Sequence, residues 1–126
     1  MLDSNKNNSS ETISHYDLNS LISMSNNNNS FVKKMINLFI ETLPSSIEDI
    51  KKEYHNQNWE NVGNIAHKIK PSISLFNITE SKKLVAEIEH NANNLKELSR
   101  MNELILKLES DILSVIEGLK KDLEKF

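Results

Sequence analysis

The chain of 126 residues is long enough for one domain with one hydrophobic core. It has no cysteine, which excludes disulfides and thiolate metal sites, and 15 basic against 18 acidic residues are too balanced for a dedicated nucleic-acid binder or polybasic membrane anchor. Two glycines and two prolines are too few for a turn-rich β protein or a glycine-rich phosphate loop. No apolar run approaches the ~20 residues of a membrane span, and the N-terminus lacks the apolar core of a secretory signal. We expect a cytoplasmic, all-helical protein.

The N-terminal part of the chain changes character near residue 15. Residues 1–14 are polar, rich in Asn and Ser and without periodicity, which predicts a flexible tail. Residues 15–126 are predicted to form the domain. A short helix is expected over 17–23, followed by an asparagine-rich loop over 25–29.

Two long helices are predicted next. The first runs over 30–56 with Ser30 as its N-cap, and Pro44 either kinks it or divides it, because proline lacks the N–H that the helix would use. The second runs over 58–76 with Asn58 as its N-cap.

Two further helices complete the pattern. Asn77 suits a left-handed turn after the second long helix, and Thr79 is predicted to cap the next one, with fraying over 91–94. The last helix is expected over 99–125. The predicted apolar stripe of the third long helix is Leu84, Ile88, Ala92 and Leu95. Four amphipathic helices with short loops predict an antiparallel up-and-down four-helix bundle with a short extra N-terminal helix.

One histidine stands apart from the apolar stripe of the second long helix. His67 lies about 140° around the helix from Val62, on the side expected to be exposed. Its neighbours at helical spacing make a small, polar face with one cation: Gly63, Asn64, Lys70, Pro71 and Ser74. An exposed neutral imidazole is a nucleophile that can attack an aspartyl phosphate, and Lys70 can meet the phosphoryl oxygens. The sequence supplies no Mg²⁺ site or nucleotide pocket, so a partner would have to bring the catalysis.

The run His67-Lys68-Ile69-Lys70-Pro71-Ser72 resembles the His-x-Leu/Ile-Lys-Gly-Ser/Ala motif of histidine-containing phosphotransfer (HPt) domains. The resemblance extends to FVKKMINLFIETLP and NWENVGNIAHKIKPS and covers roughly residues 18–119. It implies a four-helix bundle that carries phosphoryl groups without being an enzyme. By this resemblance, His67 is the phosphoacceptor through the ring nitrogen farther from the backbone, and Lys70 contacts the phosphoryl group.

The resemblance also implies the partners. They would be response-regulator receiver domains, including those of hybrid histidine kinases, in the phosphorelays of two-component signalling. The expected docking face for them is Gly63, Asn64, Lys68, Pro71 and Ser74. No cofactor is expected in this chain, because Mg²⁺ would be held by the receiver. We expect a monomer that binds neither nucleic acid nor membranes.

Three positions depart from the family pattern: Pro71 replaces a glycine, Asn77 replaces a glycine at the helix end, and Glu89 aligns with a glutamine that in some members bonds the histidine ring. A carboxylate at 89 can orient the ring but repels a phosphoryl group. Pro71 has no N–H to donate to the carbonyl of His67, and in a regular helix interior it should destabilise the helix by about 3 kcal/mol relative to alanine. We expect a bend there; the alternative is that the helix ends early.

Three other functions are compatible with parts of the sequence. A sensor-kinase dimerisation domain has proline five residues after its histidine and an acidic residue directly after it, whereas here proline follows at four and Lys68 is basic. A helical interaction module without phosphotransfer would use the apolar stripe of the last helix. A metal enzyme is disfavoured, because the four histidines lack metal-ligand spacing.

Overall fold

The computed structural model describes residues 15–126, and the tail predicted over 1–14 lies outside the described residues. Within that range the secondary structure is entirely helical. The short helix predicted over 17–23 begins two residues later than expected. The helices are α1 (Asn19–Met24), α2 (Asn29–His55), α3 (Trp59–Leu75), α4 (Thr79–Asn94) and α5 (Met101–Leu123), with a 3₁₀ turn at Leu98–Arg100.

The four long helices form a ring around one core. Each of α2, α3 and α4 packs against the next helix in the chain, α5 closes the ring on α2, and α1 contacts α2. Because the connections are short, successive helices are antiparallel, which confirms the predicted bundle. Near its centre the rings of Phe39 and Phe76 lie 4.5 Å apart. The apolar stripe of α5 from Met101 to Leu119 is buried in this core, which removes it as a surface for pairing with another chain.

The start of α2 differs from the prediction. The side chain of Asn28, not Ser30, caps the helix and accepts a hydrogen bond from the amide of Phe31 at 3.1 Å. The chain reaches this cap through Asn26 and Asn27, which have φ values of 58° and 64°. Asparagine tolerates this left-handed conformation better than most residues, so the asparagine run sets the turn and moves the cap two residues upstream.

Neither proline ends its helix. Helix α2 is continuous through Pro44, and α3 continues past Pro71 to Leu75, so an early helix end at Pro71 is wrong. The expected bend at Pro71 stays a prediction. At the start of α3, Asn58 is the N-cap as predicted, and its side chain accepts a hydrogen bond from the amide of Asn61 at 3.3 Å.

The connection from α3 to α4 was predicted in part. Asn77 has a φ of 53°, which confirms the left-handed turn. Thr79 does not cap α4; it is the first helical residue, and the N-cap is Ile78, which makes no side-chain capping bond. Ile78 is completely buried. Burial of the Ile78 side chain therefore determines the position of the N-cap, and α4 begins without a capping hydrogen bond from a polar side chain.

The end of α4 also differs from the prediction. Leu95 follows the last helical residue in a left-handed conformation and is 64% exposed, so it does not extend the apolar stripe. Residues 91–94 do not fray, because they are helical and Asn91 is buried. The last predicted helix divides into the turn Leu98–Arg100 and α5.

The segment before α1 is tied to the bundle at two places. The amide of Asp17 donates to the carbonyl of Phe76 at 3.1 Å, and the side chain of Asn77 donates to the carboxylate of Asp17 at 2.9 Å. The hydroxyl of Tyr16 donates to the carboxylate of Asp122 near the end of α5, at 2.6 Å. These bonds join the entry segment to the α3–α4 turn and to α5.

Candidate functional site

The outward face of α3 presents the histidine that the sequence singles out. The side chain of His67 is 74% exposed, which confirms its predicted exposure. The core-facing residues of the same helix are buried: Val62, Ala66, Ile69 and Ile73. The helix therefore fixes the backbone of His67 on a rigid element while leaving its ring accessible to another protein.

A carboxylate on α4 contacts two residues of this face. Glu89 Oε2 lies 2.8 Å from His67 Nδ1, and Glu89 Oε1 lies 2.8 Å from Lys70 Nζ. The antiparallel packing of α3 and α4 brings these residues together, although Glu89 is 22 positions from His67. The Glu89 side chain is only 16% exposed, so the carboxylate that bridges the two residues is largely covered.

The charge of Glu89 is stabilised in this position. The hydrogen bond from Lys70 is the largest cause that lowers the pKa of Glu89; burial opposes it, and the bond from His67 lowers the pKa further. Glu89 is therefore ionised at neutral pH. An ionised carboxylate only accepts hydrogen bonds.

This bond determines which ring nitrogen of His67 carries the proton. Because Glu89 can only accept, Nδ1 must donate, and the neutral ring keeps its lone pair on Nε2. Nε2 makes no hydrogen bond within the described chain. The site thus presents a bare ring nitrogen, pointing away from the carboxylate, as a nucleophile.

The other described histidines are in different surroundings. His90 Nδ1 lies 3.3 Å from the side-chain nitrogen of Asn94, a donor, so its proton belongs on Nε2 and the lone pair there is absent. His15 and His55 are exposed, and neither has a carboxylate partner within residues 15–126. Among these four, His67 is the one whose exposed ring is held by a carboxylate through Nδ1, which leaves the lone pair on Nε2.

The surface around His67 differs from the expected docking face at one residue. Gly63 is buried, so its predicted exposure is wrong. It faces α4, where an added Cβ would collide with the side chain of Asn93 and touch that of Ala92. The helical period places Gly63 one turn before His67, but α4 covers that side of α3. The other four predicted residues are exposed: Asn64, Lys68, Pro71 and Ser74.

Glu89 is the only residue of α4 that the sequence predicted to lie near the histidine. Ala86 and Asn93 lie about one turn on either side of Glu89 and are exposed, so α4 also presents exposed residues next to Glu89. The sequence could have indicated these two residues, because Ala86 lies three positions before Glu89 and Asn93 lies four positions after it. The pairing of Lys70 with Glu89 had no such signal, because it depends on how α3 and α4 are aligned.

Other features of the described chain do not include His67. A surface cleft of about 540 Å³ at the α2–α3 connection is lined by Tyr54, His55, Gln57, Trp59 and Leu98. Within residues 15–126 no cluster of three or more His, Asp or Glu side chains is arranged to hold a metal ion. No helix in this range is long and apolar enough to cross a bilayer.

The comparison with protein families gives one match. The family model described as Hpt domain matches residues 34–123, a span that contains most of α2 and all of α3, α4 and α5. His67, Lys70 and Glu89 all lie within it. Comparisons with curated proteins and with solved structures return no match.

Proposed function

The chain belongs to the Hpt domain family, and on this premise we propose that His67 accepts a phosphoryl group from a receiver-domain aspartate and passes it to another receiver. Hpt domains are phosphocarrier modules, not catalysts, and they interact with receiver domains in two-component phosphorelays. The observation that supports this role for His67 is its bare Nε2, exposed on α3 while Nδ1–H is held by Glu89.

The transfer needs no proton movement at the histidine. The lone pair of His67 Nε2 attacks the phosphorus of the aspartyl phosphate, the N–P bond forms, and the O–P bond breaks with its electron pair left on the aspartate carboxylate. The ring keeps its proton on Nδ1 and becomes cationic, and Glu89, 2.8 Å away, stabilises that charge. Attack by the carboxylate of a second receiver reverses these steps and returns the electron pair to Nε2.

The receiver supplies the catalytic groups in this proposal. It brings the aspartate and the Mg²⁺ that neutralises the phosphoryl oxygens, whereas the Hpt chain contributes the nucleophile and the charge of Lys70. We assign docking to the exposed residues Asn64, Lys68, Pro71 and Ser74, whose side chains leave room for another protein above the ring. Gly63 has a different part: it lets α4 pack closely behind the face.

The proposal is tested by labelling from a phosphorylated receiver. We expect wild-type protein to gain one acid-labile phosphoryl group and to lose it to a second receiver. His67→Gln should accept none, whereas His90→Gln, a control on the neighbouring helix, should accept as much as wild type. Label that persists in His67→Gln would show that another residue is the acceptor and would overturn the assignment.

A further inference from the structure

Lys70 is not positioned at the nucleophilic nitrogen in this structure. Its ammonium group is bound to Glu89 Oε1 at 2.8 Å, while the other oxygen of the same carboxylate holds Nδ1 of the ring. Lys70 makes no hydrogen bond to Nε2. A phosphoryl group on Nε2 would therefore form on the opposite side of the ring from the carboxylate that binds the lysine.

We propose that Lys70 exchanges partners during the phosphorylation cycle: Glu89 holds it while Nε2 is bare, and it moves to the phosphoryl group once His67 is phosphorylated. This inference rests on the proposed function, which makes His67 the acceptor. Glu89 and the phosphoryl group would then compete for the single cation of Lys70.

The charges before and after transfer favour this exchange. While the ring carries no positive charge, the single negative charge of Glu89 is balanced by Lys70. After transfer the ring is cationic at Nδ1–H and lies 2.8 Å from Glu89, so it can balance the carboxylate by itself. The new phosphoryl group carries close to two negative charges and three acceptor oxygens. Exchange of Lys70 then gives two ion pairs where there was one.

The side chain of Lys70 is free to make this movement. It is 42% exposed, and its only ion-pair partner in the described chain is Glu89. The lysine side chain is a flexible stem that carries a compact charge, so its ammonium group can change partners without movement of the backbone. Lys70 must lose its ion pair with Glu89 before it can bind the phosphoryl group. The free energy of the lost pair offsets part of the free energy of the new contact, so Glu89 limits how strongly Lys70 stabilises the phosphorylated state. An amide at position 89 would compete less.

The resting and phosphorylated partners can be observed directly by NMR. Phosphoramidate should phosphorylate His67 without a receiver, because attack by Nε2 breaks its P–N bond and releases ammonia. We expect scalar coupling across the hydrogen bond from Lys70 Nζ to the carboxyl carbon of Glu89 in the unphosphorylated protein. In the phosphorylated protein this coupling should be lost and replaced by coupling to phosphorus. Persistence of the Glu89 coupling after phosphorylation would overturn the exchange.

A double-mutant cycle measures the competition. The equilibrium phosphohistidine level with a receiver is compared for Lys70→Ala in the wild-type and Glu89→Gln backgrounds. We expect the loss caused by Lys70→Ala to be larger in Glu89→Gln by about threefold, a coupling typical of residues in contact. Lys68→Ala, a neighbouring exposed lysine without a contact to Glu89, should have the same effect in both backgrounds. If Lys70→Ala lowered the phosphohistidine level in the Glu89→Gln background by the same factor as in the wild-type background, or by a smaller one, the competition would be contradicted.

The two proposals fail in different ways. If phosphoramidate labels His67 but receivers do not, the receiver relay is wrong, and the NMR couplings still decide the exchange. If receivers transfer to His67 but Lys70 stays on Glu89, only the exchange is wrong. If neither reagent phosphorylates His67, both are wrong.

Discussion

At the scale of single residues, Glu89 sets the state of the histidine. The imidazole has two nitrogens, and in a fully exposed ring nothing would select which one is protonated. Here an ionised carboxylate accepts from Nδ1 at 2.8 Å and leaves Nε2 free. Glu89 does this through a bond to the ring and not by touching the phosphoryl donor, so it is a positioning residue.

Removing that carboxylate should therefore change the tautomer of His67. In Glu89→Ala we expect the neutral ring to move toward the form protonated on Nε2, and phosphorylation by phosphoramidate to slow several-fold. Nitrogen-15 shifts of the ring measure the tautomer without any transfer reaction. Glu87→Ala is the matched control, because Glu87 lies on the same helix but pairs with Arg100. Unchanged ring shifts in Glu89→Ala would show that the bond does not control the ring.

Lys70 should matter for transfer more than for the fold. It is partly exposed, so Lys70→Ala should change the melting temperature little at pH 7 while slowing transfer by an amount equivalent to about 1 kcal/mol. Because Lys70 lowers the pKa of Glu89, Lys70→Ala should raise that pKa toward its ordinary value. Carbon-13 titration of the Glu89 carboxyl checks this, and transfer that is unchanged at several salt concentrations would contradict a role for Lys70.

The same pKa shift fixes the sign of a pH effect on stability. A carboxyl whose pKa is lower in the folded state stabilises the fold above its unfolded pKa, which is about 4.3 for glutamate. That contribution is lost as the pH falls through the folded pKa. The small difference in melting temperature between wild type and Lys70→Ala should therefore shrink as the solution is acidified below pH ~4.

At the scale of helices, substitutions of Pro71 can distinguish an effect on receiver docking from an effect on helix stability. It lies inside α3 one turn after His67 and is exposed. Pro71→Gly restores an N–H without adding bulk, so transfer should persist. Pro71→Glu adds a good helix former and should raise the melting temperature, but its bulk and negative charge beside the phosphoryl group should reduce transfer sharply. Transfer by Pro71→Glu at the wild-type rate would mean that receivers do not dock over this face.

Helical periodicity and local chemistry predicted part of these elements. The exposure of His67 follows from its position relative to the apolar stripe, and Asn58 and Asn77 were predicted because cap and turn preferences are local. Thr79 failed as a cap because burial of Ile78 decided the turn. The bond between Lys70 and Glu89 could not be predicted, because it depends on how α4 is rotated and positioned along α3, and neither follows from the periodicity of a single helix.

At the scale of the whole molecule, the segment before α1 joins parts of the bundle that are distant in sequence. Tyr16 reaches Asp122, 106 positions away, and packs against Gly118, where an added Cβ would lie 2.6 Å from the tyrosine hydroxyl. Asp17 and Asn77 tie the same segment to the α3–α4 turn. The site on α3 lies away from these contacts, so the segment should affect the stability of the bundle and not the transfer rate.

This arrangement gives the Tyr16 hydroxyl a distinctive pH dependence. Burial is the main cause that raises the pKa of Tyr16, and the hydrogen bond to Asp122 raises it further. A group whose pKa is higher in the folded state stabilises the fold below its unfolded pKa, which is about 10 for tyrosine. That contribution is lost as the pH rises through the folded pKa. Tyr16→Phe should lose about 1–2 kcal/mol at pH 7, since the bond is to a carboxylate.

The difference in melting temperature between wild type and Tyr16→Phe should therefore narrow as the pH is raised above about 10. Tyr54→Phe is the matched control, because the Tyr54 hydroxyl makes no hydrogen bond within the described chain; its melting temperature should follow that of wild type over the same pH range. Thermal denaturation of the three proteins between neutral and alkaline pH measures this. A constant difference between wild type and Tyr16→Phe would show that the hydroxyl of Tyr16 is not held by Asp122 in solution, and that the entry segment is joined to the bundle by its other contacts alone.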